Sequence, residues 1–250
     1  MRSDLDRAVD LLHDKKRLLA FTGAGISTES GIPDFRGPNG VWTRVDPSEF
    51  TFDKYVSRPQ TRIRSWQLRR ESGILDSEPN DAHRALVDLW NAGLLMGVVT
   101  QNIDGLHQAA GLPPEAVVEL HGNLRTVECL ECDASWPTPA VIARLDAGEE
   151  DPDCPECGGI IKVSVISFGQ AMPAAEMDRA SALAVACDAI LAVGSTLSVY
   201  PAAYVPLEAK QTGARYVIVN QGPTEQDHLA DVIVEGAAGE MLPAIAGALA

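Results

Sequence analysis

Four cysteines of this chain stand in two closely spaced pairs. Cys129 and Cys132 form one C-x-x-C pair, and Cys154 and Cys157 form a second. Four thiolates fill the tetrahedral shell of Zn²⁺ and leave no position for a water ligand, so the spacing predicts a structural zinc site. Two disulfides are the alternative, but no apolar signal segment opens the sequence, and a fifth cysteine, Cys187, makes the number odd.

A glycine loop is the second set of residues suited to chemistry. Gly23, Ala24 and Gly25 directly follow an apolar run at 17–22. Glycines here allow a tight turn and let a pyrophosphate approach backbone N–H groups at the start of a helix. The third glycine of a dinucleotide fingerprint is replaced by Thr28, and the next convincing strand begins about 70 residues further on, so a conventional dehydrogenase fits poorly. Taken alone, the loop also fits a plain turn between a strand and a helix.

Three polar residues follow runs that are predicted to be strands. Asn102 and Asp104 come after the run at 94–100, and His121 comes directly after the run at 116–120. Open parallel sheets place their ligands at the carboxyl ends of their strands. A neutral imidazole with an ordinary pKa of about 6.5 accepts a proton at pH 7, which makes His121 a candidate general base. A lone histidine after a strand is otherwise a hydrogen-bonded structural residue.

Composition narrows the class of protein. The chain has 250 residues, 46% of them hydrophobic, and a net charge of −15, so it can bury a large core within one large domain and a smaller one. The negative charge repels phosphate backbones, and the basic residues that cluster at 58–70 are too few to outweigh it, so no direct nucleic-acid binding is expected. Charges or prolines interrupt every apolar stretch before it reaches the roughly 18 to 20 residues that are needed to span a bilayer. We therefore expect a cytoplasmic protein with no membrane partner.

The elements that must position these residues alternate between apolar strands and amphipathic helices. This alternation predicts an α/β fold with a doubly wound parallel sheet. Asn80 is expected to open a helix at 81–91 that Gly93 closes, and Ser3 with Asp6 resembles a capping box for the first helix. The runs predicted as strands are 17–22, 94–100, 116–120, 162–168, 188–193, 215–219 and 231–234.

Two insertions interrupt the alternation. Residues 37–78 contain scattered prolines and a basic helical stretch, which together predict a small helical module. Residues 125–161 contain the four cysteines, and their prolines and glycines are typical of a loop-rich zinc ribbon. The large domain is therefore assigned to 1–36, 79–124 and 162–250.

The motifs and their order resemble those of the sirtuins, the NAD-dependent protein deacylases. The resemblance covers nearly the whole chain, and it implies a Rossmann-like large domain, a small domain built from the zinc ribbon and the helical insertion, and NAD⁺ in the cleft between them. The matching segments are 23–27, 30–37, 101–107, 121–122, the four cysteines, 168–169, 194–201 and 220.

The resemblance also implies roles for individual residues. Asn102 and Asp104 would hold the nicotinamide ribose and carboxamide, Phe35 would shield C1′ of that ribose from water, and His121 would be the base. The family usually has the order Gly-Thr-Ser where this chain has Gly194-Ser195-Thr196, a swap that matters little because both hydroxyl groups can donate. The residues expected to bind NAD⁺ are Gly23, Ala24, Gly25, Ser27, Asp34, Phe35, Arg36, Gln101, Asn102, Asp104, Gly194, Ser195, Thr196 and Asn220.

By the same resemblance, an extended peptide carrying an acylated lysine would pair through its main chain with a strand between the two domains. Ile166 and Phe168 would flank the lysine stem. The sequence departs from the family pattern at Val163, where a proline is usual, and at Gln170, where a glutamate is usual. The residues expected to bind the substrate are Trp66, Arg69, Ile166, Phe168 and Gly169.

These expectations define an enzyme that transfers an acyl group from lysine to ADP-ribose and releases nicotinamide, with NAD⁺ and Zn²⁺ as cofactors. The catalytic residues would be His121 and Asn102. Two alternatives remain at this point. One is a mono-ADP-ribosyltransferase that uses the same site, and the other is a zinc-ribbon interaction module without catalysis.

Overall fold

A computed structural model describes residues 3–34, 40 and 46–249. Within them, six parallel strands form one sheet in the order β3-β2-β1-β7-β8-β9. The strands β2 and β3 lie on one side of β1, and β7, β8 and β9 lie on the other, so the strand order reverses at β1. Open α/β sheets bind their ligands at the carboxyl ends of the strands at such a reversal. The strands are β1 (Leu18–Thr22), β2 (Leu95–Thr100), β3 (Val117–Glu119), β7 (Ala189–Val193), β8 (Arg215–Asn220) and β9 (Val232–Glu235).

Helices cover both faces of this sheet. Every residue of β1 is buried, and its side chains alternate between the two faces: Leu18 and Ala20 join one core, and Leu19 and Phe21 join the other. The first core lies under α1 (Asp4–Leu12), α4 (Asp81–Asn91) and α9 (Ala238–Leu249). The second lies under α7 (Ala174–Ala186) and α8 (Tyr204–Gln211). The predicted doubly wound α/β fold is confirmed.

Both predicted helix starts are confirmed. Ser3 caps α1 and forms a capping box with Asp6, with each side chain accepting a hydrogen bond from the other residue's backbone N–H at 3.1 Å. The Asn80 side chain accepts a hydrogen bond from the Ala82 N–H and so fixes the start of α4. Among the residues that the structure describes, every helix is too short or too polar to cross a bilayer.

A second, antiparallel sheet has the order β5-β4-β6 and packs against the helical insertion. Trp66 of the insertion lies in a core with Leu124, Val127, Ile161 and Val163 of this sheet. The elements of this small module are α2 (Phe52–Ser57), α3 (Pro59–Glu71), β4 (Gly122–Cys129), β5 (Ser135–Pro137), α6 (Thr138–Asp146) and β6 (Ile161–Val165).

One strand prediction was wrong about its sheet. The run at 162–168 was counted with the large parallel sheet, but β6 pairs antiparallel with β4, with Lys162 opposite Glu128. An apolar run indicates a strand without indicating its partner, and here the chain returns from the cysteine turns directly alongside β4. This strand therefore belongs to the small sheet.

An ion pair joins the helical insertion to the cysteine segment. The Arg62 guanidinium on α3 contacts both carboxylate oxygens of Asp151 at 2.7–3.0 Å and also donates to the Val56 carbonyl. Both charged side chains are largely buried, so the pair holds the two insertions together as one unit.

Candidate active site and zinc site

The four paired cysteines converge at one point. Their Sγ atoms lie within 4.8 Å of one another, with 3.5 Å between Cys129 and Cys157 and 3.7 Å between Cys132 and Cys154. These separations are too long for disulfides, but they match the spacing of about 3.8 Å that four sulfurs adopt when each lies about 2.3 Å from a central Zn²⁺. The donor set therefore fits a closed tetrahedral zinc site.

The glycine loop after β1 packs against the loop after β7. Gly25 N donates to Gly194 O at 2.8 Å, and Gly23 N donates to Val193 O at 3.0 Å. A Cβ atom on Gly25 would lie 2.7 Å from the Gly194 Cα, and one on Gly194, whose φ is +62°, would lie 2.3 Å from Ile26 N. Glycines are therefore required for this close approach, whatever ligand the loops hold.

A hydrogen-bonded chain fixes the two polar residues after β2. Asn102 is buried, and its Nδ2 donates to Gly23 O at 3.1 Å and to Ser27 Oγ at 3.2 Å. Ser27 Oγ in turn donates to Asp104 Oδ2 at 2.8 Å, and the Leu106 N–H donates to Asp104 Oδ1 at 3.0 Å. Since both hydrogens of the Asn102 amide are used, its Oδ1 is the atom left to accept a hydrogen bond from a ligand hydroxyl.

The loops after β7 and β8 reach the same edge of the sheet. Gln101 Nε2 donates to Ser195 Oγ at 2.8 Å, which joins the ends of β2 and β7. Thr196 Oγ1 shares a hydrogen bond of 2.8 Å with Ser198 Oγ. Asn220 ends β8, its Nδ2 donates to Gly222 O at 2.9 Å, and its carbonyl accepts from the N–H of Gly236. The predicted residues of four strands therefore gather along one carboxyl edge.

His121 lies two residues beyond β3 and is half-buried. Its Nδ1 is 2.9 Å from Gln101 O, and a carbonyl can only accept, so Nδ1 carries the ring proton of the neutral imidazole. Burial lowers the pKa of His121, and the hydrogen bond to the Gln101 carbonyl offsets part of this effect. The imidazole is therefore neutral at pH 7, and its Nε2 carries the lone pair that a general base requires.

The segment after β6 places the predicted substrate residues next to this base. Ile166 N donates to the carbonyl oxygen of His121 at 2.9 Å. Phe168 is 47% exposed, and its carbonyl accepts from Phe52 N at 2.9 Å, which ties the helical insertion to the segment. Gly169, with φ +81°, allows the tight turn that follows.

Gln170 closes that turn where the family usually has a glutamate. Its N–H donates to Ser167 O at 3.0 Å, and its side-chain Oε1 accepts from Ser167 N at 3.2 Å. The amide oxygen thus makes a backbone contact of the kind a carboxylate oxygen would make, without the negative charge.

The helical insertion brings Trp66 and Arg69 to different surroundings. Trp66 is 1% exposed within the core of the small module, and its indole Nε1 has no hydrogen-bond partner among the described residues. Arg69 lies one turn later, partly buried near Tyr55 and Lys162, and burial lowers the pKa of its guanidinium. Their contribution to an acyl pocket stays a prediction.

Two predicted NAD⁺ contacts, Phe35 and Arg36, lie outside the described residues, while Asp34 is described and partly buried.

One contact of the glycine loop was not predicted from the sequence. Asn80 Nδ2 donates to Ile26 O at 2.8 Å and to Ser30 Oγ at 3.0 Å, so the residue that caps α4 also fixes this loop. Its capping signal was visible in the sequence, but the contact across about 50 residues of chain was not.

Two buried histidines lie beneath the same edge. The rings of His83 and His107 have centroids 5.0 Å apart, and His83 Nε2 and His107 Nδ1 have no partner among the described side chains and backbone. Burial lowers the pKa of both, that of His107 to about 4, while Asp104 partly opposes the shift at His83. Both imidazoles are therefore neutral in the folded protein at pH 7.

This burial predicts acid sensitivity. Because both folded-state pKa values lie below the value of about 6.5 in the unfolded chain, the unfolded chain binds the protons first. The stabilisation is complete above about pH 6.5 and is lost as the pH falls toward the folded-state values, at up to about 1.4 kcal/mol per pH unit for each histidine. Urea unfolding between pH 7 and pH 5 should show this loss, and His107→Gln should flatten it. An identical pH dependence in the variant would contradict the prediction.

A doubly wound parallel sheet with its polar residues along one carboxyl edge, beside a four-cysteine module, places the protein among the Rossmann-like α/β proteins. The comparison with protein families is more specific. The model of the Sir2 family matches residues 23–201, and the chain therefore belongs to the Sir2 family. The resemblance drawn from the sequence motifs is confirmed.

The relatives are similar over their full length. The chain is 45% identical over 233 residues to "NAD-dependent protein deacetylase 2" of Streptomyces coelicolor, covering 92% of this chain and 97% of the relative. It is 45% identical over 249 residues to "NAD-dependent protein deacetylase 1" of Bradyrhizobium diazoefficiens, covering 99% of this chain and 97% of the relative. A solved Sir2 histidine-to-alanine variant with a deacetylated p53 peptide and 3′-O-acetyl ADP-ribose superimposes with a TM-score of 0.90 at 35% identity, covering 96% of each chain.

Proposed function

We propose that this protein is an NAD⁺-dependent protein-lysine deacetylase, which transfers the acyl group to ADP-ribose and releases nicotinamide. The observation that carries the proposal is His121, with Nδ1 engaged by a carbonyl and Nε2 left as an acceptor, on the same edge as the chain formed by Asn102, Ser27 and Asp104. The names of the full-length relatives support it.

The residues on this edge suit the chemistry that NAD⁺ would supply as a substrate. The amide oxygen of the acyl-lysine would attack C1′ of the nicotinamide ribose while the bond from C1′ to nicotinamide breaks. Asn102 Oδ1 accepts a hydrogen bond from a ribose hydroxyl and fixes the sugar. His121 Nε2 would remove a ribose hydroxyl proton and so activate that oxygen to attack the acyl carbon. Water would then release the free lysine and leave the acyl group on ADP-ribose. Asp104 places a negative charge close to the sugar, which favours positive charge developing at C1′.

The substrate side is proposed to be the segment 166–170. A peptide strand pairs there through main-chain hydrogen bonds, which makes recognition tolerant of sequence. Ile166 lies next to the main chain of His121, so a lysine stem beside it brings the acyl group toward the base. The zinc site has no open position for a reacting group, and its role is to hold the small module folded. A cytoplasmic location remains a prediction from the sequence.

The test is the dependence of nicotinamide release on both substrates. The protein with NAD⁺ and an acetyl-lysine peptide should release nicotinamide, and omitting the peptide or replacing it by the unacetylated peptide should abolish release. Release that does not depend on the acyl group would overturn the proposal.

Acyl choice is a further expected outcome. The side chain of Trp66, including its N–H, is buried in the small-module core, so a succinyl carboxylate would find Arg69 as its main partner. Each missing charged hydrogen bond costs about 1.5 to 3 kcal/mol. We therefore expect acetyl-lysine to be preferred, with some succinyl activity through Arg69.

The measurement is kcat/KM for acetyl and succinyl forms of one peptide. Arg69→Met should lower the succinyl value about 10- to 150-fold relative to the acetyl value. Arg70→Met is the matched control, because Arg70 is an exposed neighbour on the same helix. A wild-type preference for succinyl would contradict the expected acetyl preference, and an unchanged ratio in Arg69→Met would place Arg69 outside the acyl pocket.

A further inference from the structure

A buried hydrogen-bonded chain runs beneath the end of β2. His107 Nε2 lies 2.9 Å from Thr22 Oγ1, Thr22 Oγ1 donates to Thr100 Oγ1 at 2.8 Å, and Asn102 N donates to the same Thr100 oxygen at 3.0 Å. All of these side chains are at most 7% exposed. His107 belongs to α5 (Leu106–Ala110) and is separated from Thr22 by 85 positions in the chain.

The chain of hydrogen bonds has one consistent direction. His107 Nδ1 is buried without a partner among the described residues, and an unpaired lone pair there is less costly than an unpaired N–H. The ring proton therefore lies on Nε2 and is donated to Thr22 Oγ1. Thr22 then gives its own proton to Thr100 Oγ1, which leaves the Thr100 oxygen as the acceptor for Asn102 N.

Asn102 needs this acceptor because it lies just beyond the strand ladder. Gln101 N still bonds to Thr22 O on β1, at 2.9 Å, but the next N–H along the chain turns to the Thr100 side chain. A buried N–H without a partner is rare and destabilising. The Thr100 hydroxyl therefore fixes the backbone from which the Asn102 side chain reaches Gly23 O and Ser27 Oγ.

We propose that His107 is a positioning residue for deacylation, acting through Thr22 and Thr100 on Asn102. The inference rests on the proposed function. Because His107 is 1% exposed, we expect it to act on the geometry of the site and not through contact with a ligand. A displacement of about 1 Å at a group that orients a substrate costs about 10²-fold in rate, which sets the scale of the expected effect.

The experiment compares two substitutions at His107. His107→Leu removes the donor to Thr22, whereas His107→Gln retains an N–H donor on a side chain of similar reach. We expect kcat for deacylation to fall about 10- to 100-fold in the leucine variant. The KM values for NAD⁺ and for peptide should change less than about threefold. In the glutamine variant, kcat should recover at least half of the loss on a logarithmic scale. The rate is expressed per NAD⁺-binding site and measured below the melting temperature of every variant, so that loss of folded protein does not count.

Tyr216→Phe is the matched control. Tyr216 lies at the end of β8 opposite Asn220, its hydroxyl donates to Gln226 Oε1 at 2.8 Å, and both residues are buried. Its loss should lower the melting temperature without lowering kcat per site. If Tyr216→Phe lowered kcat as much as His107→Leu, the effect of His107 would be general destabilisation and the proposal would fail.

A double-mutant cycle tests the route through Thr22. Thr22→Val keeps the shape of the side chain and removes its hydroxyl, so it should lower kcat by itself, and it carries the test if His107→Leu does not fold. Adding His107→Leu to Thr22→Val should lower kcat less than twofold further. The proposal would be overturned if the fold-losses of kcat from the two substitutions multiplied in the double variant. A wild-type kcat in Thr22→Val would also overturn it. Failure of the proposed function itself would differ, because the wild-type protein would then release no nicotinamide.

Discussion

Replacing His121 by alanine is expected to lower kcat for deacylation by about 10²- to 10⁴-fold, the loss that follows removal of a general base. Gln101 O holds Nδ1 of the ring, so Nε2 is the only ring atom that can take a proton, and alanine offers no replacement. NAD⁺ should still bind, because the contacts that link Gly23, Asn102 and Asp104 do not involve the imidazole. Steady-state kinetics and calorimetric titration with NAD⁺ measure the two quantities separately.

His13→Ala is the control for this prediction, since His13 follows α1 on the exposed surface. An activity of His121→Ala within tenfold of the wild-type value would remove His121 from the role of base. The pH dependence gives a second check. Burial lowers the pKa of His121, and a base works only when deprotonated, so the acidic limb of the wild-type profile should lie below about pH 6.5.

Loss of one zinc ligand is the other change with a large expected effect. Cys129 ends β4 and is buried, and its Sγ accepts a hydrogen bond from Glu131 N at 3.4 Å. Cys129→Ala should release zinc and lower the melting temperature and the activity together, because binding of a structural metal is coupled to folding. Metal analysis, calorimetry and the deacylation assay on the same sample test this prediction.

Cys187→Ala provides the matched control for the zinc prediction. Cys187 is also buried, but it lies at the end of α7 with its Sγ donating to Ala184 O, away from the cluster. This variant should keep its zinc. A Cys129 variant that kept its stability and yet lost turnover would require the metal to take part in the chemistry.

The sequence predicted the large sheet well because its strands are short apolar runs bounded by clear turn signals. Helix starts were equally readable, since Ser3 and Asn80 are capping residues whose side chains act within a few positions of themselves. The strand at β6 was recognised but placed in the wrong sheet, because strand pairing depends on contacts that are distant in sequence. The helix α6 between the cysteine pairs was not predicted. It follows a proline and packs Val141 and Leu145 on the small module, which supplies stability that local propensity does not.

Parallel-sheet geometry gave the location of the site but not its internal contacts. The carboxyl ends of parallel strands meet at one edge, so Asn102, Asp104 and His121 were expected there, and the structure places them there. No sequence motif gives His107 a role. Its hydrogen bond to Thr22 joins residues 85 positions apart and depends on the exact rotation of α5, which no spacing rule reveals.

The identity of the products is the most direct test of the proposed function. Mass spectrometry of a reaction containing the protein, NAD⁺ and an acetyl-lysine peptide should show the unmodified peptide, acetyl-ADP-ribose and nicotinamide in equal amounts. The same assay in Asn102→Ala and His121→Ala controls for chemistry that does not use the site. ADP-ribose attached to protein, with the acetyl group still on the lysine, would contradict the proposal and identify the protein as an ADP-ribosyltransferase.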